Sequence, residues 1–207
     1  MLPAVLVTLF VGAFGATVYD ANRYIDEVLG RRMPVLVSRN RLDPLPVADY
    51  ITNLGAPNVL SAQMRKVNVT GLGLVRRQGD CGRPGTSGPG RVTVGCNVVL
   101  DRVAVSATSD LRYYMEPYQR IGVRANFDTN HALVEVTSVV GQPPIVNFRL
   151  LRPLVPRLTF SNLKNLPLYS VIEKGYSQEL SRILQTQLSG PYLASLGTAC
   201  RDVPFPR

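Results

Sequence analysis

The order of apolar patterns is the feature that most constrains how this 207-residue chain can fold. An apolar leader is followed by a stretch with helical spacing, a long series of alternating residues, and a second stretch with helical spacing. Alternation with a period of two predicts half-buried strands, whereas apolar residues three and four apart predict an amphipathic helix. The sequence therefore predicts an α+β fold, with an antiparallel sheet between two amphipathic helices.

The leader runs from Leu2 to Ala13 and is too short to span a bilayer, which needs about 20 apolar residues. Small residues at Ala13 and Gly15 fit the two positions that a signal peptidase reads. We therefore predict a signal peptide over residues 1–15 and one exported domain over residues 16–207. No Lys or Arg precedes the apolar run, and a buried core helix is the alternative interpretation. No second apolar stretch is long enough to predict a membrane span.

Two helices are predicted from apolar spacing. The first covers about Thr17 to Leu29, with Gly30 as a natural end. An extended connector is expected from Met33 to Tyr50, because its prolines exclude a helix, and a loop is expected over residues 51–60. The second helix covers about Val171 to Leu196. Its apolar stripe consists of Ile172, Tyr176, Leu180, Ile183, Leu184 and Leu188, with Tyr192 as a further candidate.

The strands are predicted to be long and bent. In the first strand, Met64 to Val75, the apolar residues change from odd to even positions after Gly71, which we call a parity switch. In the second, Arg91 to Ala107, they change from even to odd positions near Asp101. We interpret both switches as β-bulges, which bend and twist a strand. Alternation continues in shorter runs up to Phe160, so the expected fold is a long, strongly curled antiparallel sheet wrapped around the two helices.

The three cysteines predict one disulfide in an exported protein. Cys81 and Cys96 bracket a glycine- and proline-rich loop, and cross-linking such a loop stabilises a fold by roughly 3 kcal/mol. Cys200 is expected in the tail from Gly197 to Arg207, where it is either free or bridges to a second chain as a disulfide-linked dimer. Three scattered cysteines and one histidine give no zinc-ligand spacing, so we predict neither metal nor cofactor.

The formal charge of +9 comes almost entirely from arginine. It favours an anionic partner, such as a lipid headgroup, a membrane surface or a polyanion; the alternative is an ordinary solvated surface biased toward arginine. Nucleic acid is not predicted, because no DNA- or RNA-binding motif is present. The basic doublets and neighbouring single arginines are Arg31-Arg32, Arg65-Lys66, Arg76-Arg77, Arg149, Arg152 and Arg157.

No set of residues predicts catalysis, so the chain is not expected to be an enzyme. His131, the only histidine, is expected in a turn beside Asp128. Ser138 is near it in sequence but lacks the surroundings of a nucleophile elbow. The stretch from Gly82 to Gly90 lacks the Lys-Ser/Thr ending of a phosphate-binding loop. A glycosylation sequon begins at Asn68, which is expected on the polar side of the first strand.

Helix one, the segment Leu42-Asp43-Pro44-Leu45-Pro46 and the segment Val67-Asn68-Val69-Thr70-Gly71-Leu72 together resemble the mite group 7 allergen family. That arthropod family belongs to the tubular lipid-binding (TULIP) superfamily, with the bactericidal permeability-increasing and juvenile-hormone-binding proteins. The similar layout extends from Thr17 to Leu196. The resemblance implies a single domain with an apolar groove for a lipid-like ligand between sheet and helix. The implied groove residues are Ile25, Leu29, Val69, Leu72, Val98, Val105, Val134, Val136, Leu180, Leu184 and Leu188.

Two classes of function are consistent with these patterns. The first is a secreted carrier or sensor of lipid-like molecules, bacterial or anionic lipids included, which predicts a continuous apolar cavity. The second is a secreted interaction protein, such as a salivary or structural factor, which predicts a filled core and an exposed apolar patch. Apolar positions of a helix or strand serve either class, so the sequence leaves both open.

Overall fold

A computed structural model describes residues 16–55, 59–86, 88, 90–114, 117–163 and 169–206. The predicted signal peptide lies outside the described residues. Within them, a helical segment at each end flanks a series of antiparallel strands. None of the described helices is both long and apolar enough to cross a membrane.

The N-terminal helical segment is longer than its sequence pattern predicts. It consists of α1 (Val18–Glu27), a π-helical turn (Val28–Arg32) and α2 (Met33–Arg39). Thr17 begins it with a capping box: its Oγ1 accepts from the Asp20 amide, and the Asp20 carboxylate accepts from the Thr17 amide. The expected end at Gly30 was therefore wrong, as was the start of the extended connector at Met33, since the helix continues to Arg39.

Tertiary packing explains why this helix continues past Gly30. Met33 and Val37 are buried and extend the apolar stripe of α1 by two further turns. Pro34 lies in the first turn of α2, where a missing amide hydrogen and a fixed φ are tolerated. The burial of these side chains outweighs the propensity cost of one glycine, which is about 1 kcal/mol.

The C-terminal helical segment also exceeds its predicted length. It consists of α3 (Tyr169–Gln187), a π-helical turn (Leu188–Tyr192) and α4 (Leu193–Arg201). Pro191 is accommodated inside the π-helical turn, and Ala199 and Cys200 are buried beyond the expected end. Cys200 therefore lies on a helix in the core, and its predicted position in a tail was wrong.

The strands form two antiparallel sheets. The first sheet has the order β1-β3-β7-β8-β11, with β2 paired to β3; the second has the order β10-β9-β6-β4, with β5 paired to β6. The bounds are β1 (Leu45–Val47), β2 (Tyr50–Asn53), β3 (Leu60–Thr70), β4 (Arg76–Arg77), β5 (Gly85–Thr86), β6 (Arg91–Leu100), β7 (Val103–Tyr113), β8 (Gln119–Phe127), β9 (Asn130–Val139), β10 (Ile145–Leu150) and β11 (Pro156–Ser161).

The two sheets are halves of one set of long, bent strands. The chain passes from one sheet to the other between β3 and β4, β6 and β7, β8 and β9, and β10 and β11. The predicted parity switch near Asp101 marks the crossing between β6 and β7, where the strand ends and restarts rather than bulging. The α+β fold with a strongly curled antiparallel sheet and amphipathic terminal helices is confirmed.

The bulge expected at Gly71 was wrong in position. Strand β3 ends there, and the backbone turns through φ +89 at Gly71 into a short 3₁₀ turn over Leu72–Leu74. The register of β3 against β7 instead shifts between Arg65 and Asn68. Amides of Gly71 and Gly73 donate to the carboxylate of Asp43 at 3.0 Å, which fixes this turn.

The helical segments pack against strands of both sheets. The α3 helix contacts β11, α4 contacts β10 and α2, and α1 contacts β4 and β6. Two hydrogen bonds join the terminal segments: Tyr24 Oη donates to the Cys200 carbonyl at 3.1 Å, and Asn40 Nδ2 donates to Ser195 Oγ at 3.0 Å. The core therefore lies between two helices and both sheets.

Candidate functional site

The predicted groove residues all come together in one hydrophobic core. The most exposed of them, Leu29, retains 4% of its surface, and Val98, Val134 and Leu180 retain none. A side chain that bordered a water-sized void would keep accessible surface, so these residues pack directly against their neighbours. The structure therefore brings the predicted residues together as a filled interior between helix and sheet.

One polar atom in this interior has no partner. The side chain of Tyr192 is fully buried in the π-helical turn, with its ring 5.7 Å from that of Phe148. Among the described residues, its hydroxyl makes no hydrogen bond. Burial raises the pKa of Tyr192 above its ordinary range, which keeps the hydroxyl protonated as a donor. An unpaired buried hydroxyl costs about 1–3 kcal/mol. A ligand atom that accepted a hydrogen bond from Tyr192 would therefore remove this cost.

The predicted disulfide between Cys81 and Cys96 is present, with a Cα–Cα distance of 4.3 Å. It ties the glycine-rich loop to β6, while Asn22 ties the loop to α1. Asn22 Oδ1 accepts from the Cys81 amide, and Asn22 Nδ2 donates to Asp80, both at 2.8 Å. The bracketed loop is thus anchored to the N-terminal helix at its Cys81 end.

Cys200 is a free cysteine whose side chain is only 1% exposed. Burial raises the pKa of its thiol to about 11, so the reactive thiolate is scarce at neutral pH. A second chain could not reach this sulfur without displacing the end of α4. The disulfide-linked dimer considered from the sequence is therefore not supported, because the cysteine lies in the core.

The predicted basic doublets are largely used in ion pairs. Arg77 lies 2.8 Å from Asp26 of α1, and Arg65 lies 3.0 Å from the nearly buried Asp110. Arg31 lies 3.1 Å from Glu27. A solvent-exposed pair such as Arg31–Glu27 contributes about 0–1 kcal/mol. These doublets therefore serve mainly as intramolecular contacts. An anionic partner would have to bind to other basic residues of the surface.

A surface cavity of about 860 Å³ lies where strands cross between the two sheets. We call it the bend cavity. Its apolar part consists of the buried Val103 and Phe127 and the half-exposed Leu74. The polar residues around it are Arg76, Asp101, Arg102, Arg124, Asn126, Asp128 and Thr129.

The two carboxylates of the bend cavity are both engaged. Asp101 accepts from Arg76 at 2.6 Å and from the Thr129 hydroxyl at 3.0 Å. The Arg76 hydrogen bond holds the pKa of Asp101 below its ordinary value, so this group is ionised at neutral pH. Asp128 lies 3.2 Å from Arg157. The acidic side chains therefore offer little free negative charge to the cavity.

Sequence reasoning missed the bend cavity, although part of its signal was visible. Asp101 and Arg102 stand at the parity switch between β6 and β7. Arg124 lies on the polar side of β8, opposite Ser106 of β7 and Thr159 of β11. The alternation places Arg124 on an outer face, but only the pairing of distant strands brings it to the same cavity as Arg76.

The described residues contain no group of three or more side chains that could hold a metal ion. His131 lies on β9 rather than in the expected turn, opposite Val99 of β6. Ser138 lies on the same strand seven residues later, which is about 23 Å along a strand and on the opposite face. These two residues therefore cannot form a base–nucleophile pair.

Asn68 lies on the polar side of β3, as its sequence position predicts. It is half-buried between Pro46 of β1 and Ser106 of β7 in the strand register. Its Nδ2 donates to the Lys66 carbonyl at 3.1 Å, which leaves one amide hydrogen. The outward placement is compatible with a glycan, and glycosylation stays a prediction.

The described residues thus combine a closed apolar core with a charged cavity on the surface. Over its whole length, the chain is similar to the salivary anticoagulant protein P23 of Ixodes scapularis. The two are 29% identical over 225 residues, which cover 100% of this chain and 99% of the relative.

The crystal structure of Takeout 1 from Epiphyas postvittana matches 83% of this chain and 84% of its own, with 13% sequence identity and a TM-score of 0.39. No protein-family model matches the chain. The resemblance to the mite group 7 allergens stays a prediction.

Proposed function

We propose that this chain is a secreted, non-enzymatic binding protein that acts against blood coagulation. The observation that carries the proposal is the similarity to a salivary anticoagulant protein across the full length of both chains. Similarity that covers both chains from end to end favours a shared mode of action over a shared fragment. The predicted signal peptide and the disulfide fit an extracellular protein.

The filled interior indicates where such an activity would reside. Because the predicted groove residues keep at most 4% of their surface, the core offers no ready-made internal site. Binding to another component would then use the outer surface, where arginine is abundant. Exposed tyrosines offer contact area as well: Tyr114 and Tyr118 are 56% and 58% exposed at the β7–β8 connection. Tyrosine and arginine are both enriched at protein interfaces.

The test is the clotting time of plasma with added recombinant chain. Folded protein should prolong clotting in a saturable, dose-dependent manner without cleaving any plasma protein on a gel. Binding rather than catalysis predicts that the delay follows the molar ratio of inhibitor to target and does not grow with preincubation time. Unchanged clotting at a large molar excess of folded protein would refute the proposal.

A lipid-like ligand between the sheet and the C-terminal helix is the second candidate function. The observation that favours it is the Tyr192 hydroxyl, which is fully buried without a hydrogen-bond partner. A carboxylate or ester oxygen of a ligand would accept from this hydroxyl while its hydrocarbon replaced side-chain contacts. Leu180, Leu184 and Leu188 would then separate slightly from the valines of the facing strands.

This candidate is tested by native mass spectrometry and by uptake of a fluorescent fatty acid. Co-purified lipid would appear as added mass, and uptake by the folded chain should be saturable. Leu184→Phe should reduce uptake because the larger ring overpacks the core where a ligand would have to enter. Leu151→Phe, at a position 45% exposed, should leave uptake unchanged. Tyr192→Phe should weaken uptake while stabilising the empty protein. Absence of both added mass and saturable uptake would exclude the carrier function.

A further inference from the structure

We propose that the bend cavity is a binding site for a phosphate group, either free or as the headgroup of a phospholipid. The inference goes beyond both proposed functions and depends on neither of them. It is carried by the convergence of arginines from separate segments around an apolar floor. Arg76 comes from β4, Arg102 from the β6–β7 crossing and Arg124 from β8.

The charge distribution of the cavity favours an anion. Asp101 is already paired with Arg76, and Asp128 with Arg157. Among the described residues, Arg102 forms no ion pair, and Arg124 uses its Nε for Asn126 at 3.0 Å. Three arginines thus line the cavity beside two carboxylates, each of which already has an arginine partner. Its surplus positive charge lies on the guanidinium groups of Arg102 and Arg124.

The chemistry of these groups favours phosphate. Guanidinium groups present forked donors that match the oxygens of phosphate and carboxylate. A phosphate group offers more acceptor oxygens than the two of a carboxylate, so it can engage arginines from several directions at once. The Thr129 hydroxyl at the same cavity donates its hydrogen to Asp101, so the arginines supply the donors for an anion. Arginines on three separate segments thus favour an anion with several acceptor oxygens.

The apolar floor explains why a headgroup with attached carbon atoms would also fit. Val103 and Phe127 are buried beneath the arginines, and Leu74 is 51% exposed at the cavity. These apolar side chains lie beside the polar ones, so the cavity offers both charged and apolar contacts to one small ligand. A glycerol backbone or the first carbons of an acyl chain would cover Leu74, which free phosphate would leave in water.

The backbone around Arg102 is held in place rather than loose. Arg102 has φ +58, and its carbonyl lies against Gly71 so closely that a Cβ there would approach it to 2.5 Å. Asp43 in turn fixes Gly71 through the amide hydrogen bond described above. This contact fixes the point from which the Arg102 side chain leaves the β6–β7 crossing.

The experiment measures binding by calorimetry with the full chain expressed through a secretory pathway. The probes are inorganic phosphate, monomeric dihexanoyl phosphatidic acid, vesicles of phosphatidylcholine with and without phosphatidic acid, and heparin as a sulfated polysaccharide. The test variant is Arg102→Gln/Arg124→Gln. The control is Arg91→Gln, an exposed arginine at the other end of β6, about 30 Å from Asp101 along the strand.

Phosphate, the short-chain lipid or both should bind the wild type, and the test variant should lose at least about tenfold in affinity, because charged hydrogen bonds are removed. The Arg91→Gln control should bind as the wild type does. Binding of phosphate alone identifies the free ion as sufficient, and binding that needs the lipid identifies the headgroup. Circular dichroism verifies that each variant is folded.

Three results would overturn the proposal. The first is no binding of phosphate, short-chain lipid or phosphatidic acid vesicles by the folded wild type. The second is an equal loss of binding in the test and control variants, which would indicate a general charge effect. The third is binding of heparin alone, which would assign the arginines to an extended polyanion instead.

Discussion

The hydroxyl of Tyr176 donates a 2.6 Å hydrogen bond to Oγ of Ser109, and both side chains are fully buried. The bond connects α3 to β7 across the interior, where apolar contacts otherwise predominate. Burial raises the pKa of Tyr176 to about 12, so its proton is retained at all ordinary pH values. This polar contact fixes the C-terminal helix at one position along the sheet.

Tyr176→Phe should destabilise the protein by about 1–3 kcal/mol, because the hydroxyl of Ser109 would be buried without a partner. Urea unfolding followed by circular dichroism measures the difference. Tyr169→Phe is the matched control: this tyrosine is 49% exposed, and its substitution should change the free energy of unfolding by less than about 0.5 kcal/mol.

The double variant Tyr176→Phe/Ser109→Ala removes both partners and should recover part of the lost stability. If Tyr176→Phe were as stable as the wild type, the hydrogen bond would contribute nothing to the position of the helix.

Alkaline pH should destabilise the fold through its buried protonated groups. Burial raises the pKa of Cys200 from 9.0 to about 11 and that of Tyr176 from 10.0 to about 12. Both groups are neutral when protonated and charged when deprotonated, and burial disfavours the charged form. The folded state therefore binds these protons more tightly than the unfolded state does. Their contribution is complete below pH 9 and is lost as the pH rises through 9 to 12.

Thermal melts between pH 7 and pH 11 measure this effect. The melting temperature should be nearly constant up to about pH 8.5 and should then fall, and Cys200→Ala should lessen the fall relative to its own value at pH 7. A melting temperature that stays level to pH 11 would contradict the burial of these groups.

Gly71→Ala should destabilise the fold by about 2 kcal/mol or more, because two costs combine. A side chain at φ +89 is strained by about 1–3 kcal/mol, and its Cβ would approach the Arg102 carbonyl oxygen to 2.5 Å. Gly141→Ala separates the two costs, since Gly141 has φ +77 but open space around it. Denaturant unfolding should show a larger loss at Gly71 than at Gly141; equal losses would mean that the turn moves away from Arg102.

Removing the disulfide by Cys81→Ala/Cys96→Ala should cost about 3 kcal/mol, because the unfolded chain gains the freedom of the opened loop. The bridge closes a sequence separation of 15 residues. A reducing agent should lower the melting temperature of the wild type and leave that of the double variant unchanged. Sensitivity of the double variant to the same reagent would place the effect elsewhere in the protein.

The sequence identified most elements but misjudged where the helices end. Gly30 and the pair Gly190-Pro191 are local breaking signals, and both lie inside π-helical turns of longer segments. Helix propensity is a local quantity of about 1 kcal/mol at a glycine. Burial of Met33 beyond the first signal and of Ala199 beyond the second comes from distant parts of the chain, and no local pattern reveals it.

The sequence by itself determined the apolar periods, and with them the strands of the curled sheet and the amphipathic helices. The two cysteines that bracket the glycine-rich loop likewise determined the Cys81–Cys96 pairing. A period specifies which side of a strand is apolar, and every predicted groove residue is indeed buried. It does not specify what that side faces. Only the tertiary structure decided that the interior is filled, that Cys200 is inaccessible, and that Arg76, Arg102 and Arg124 share one cavity. These outcomes depend on contacts between strands that are far apart in sequence, where the register of pairing fixes the neighbours.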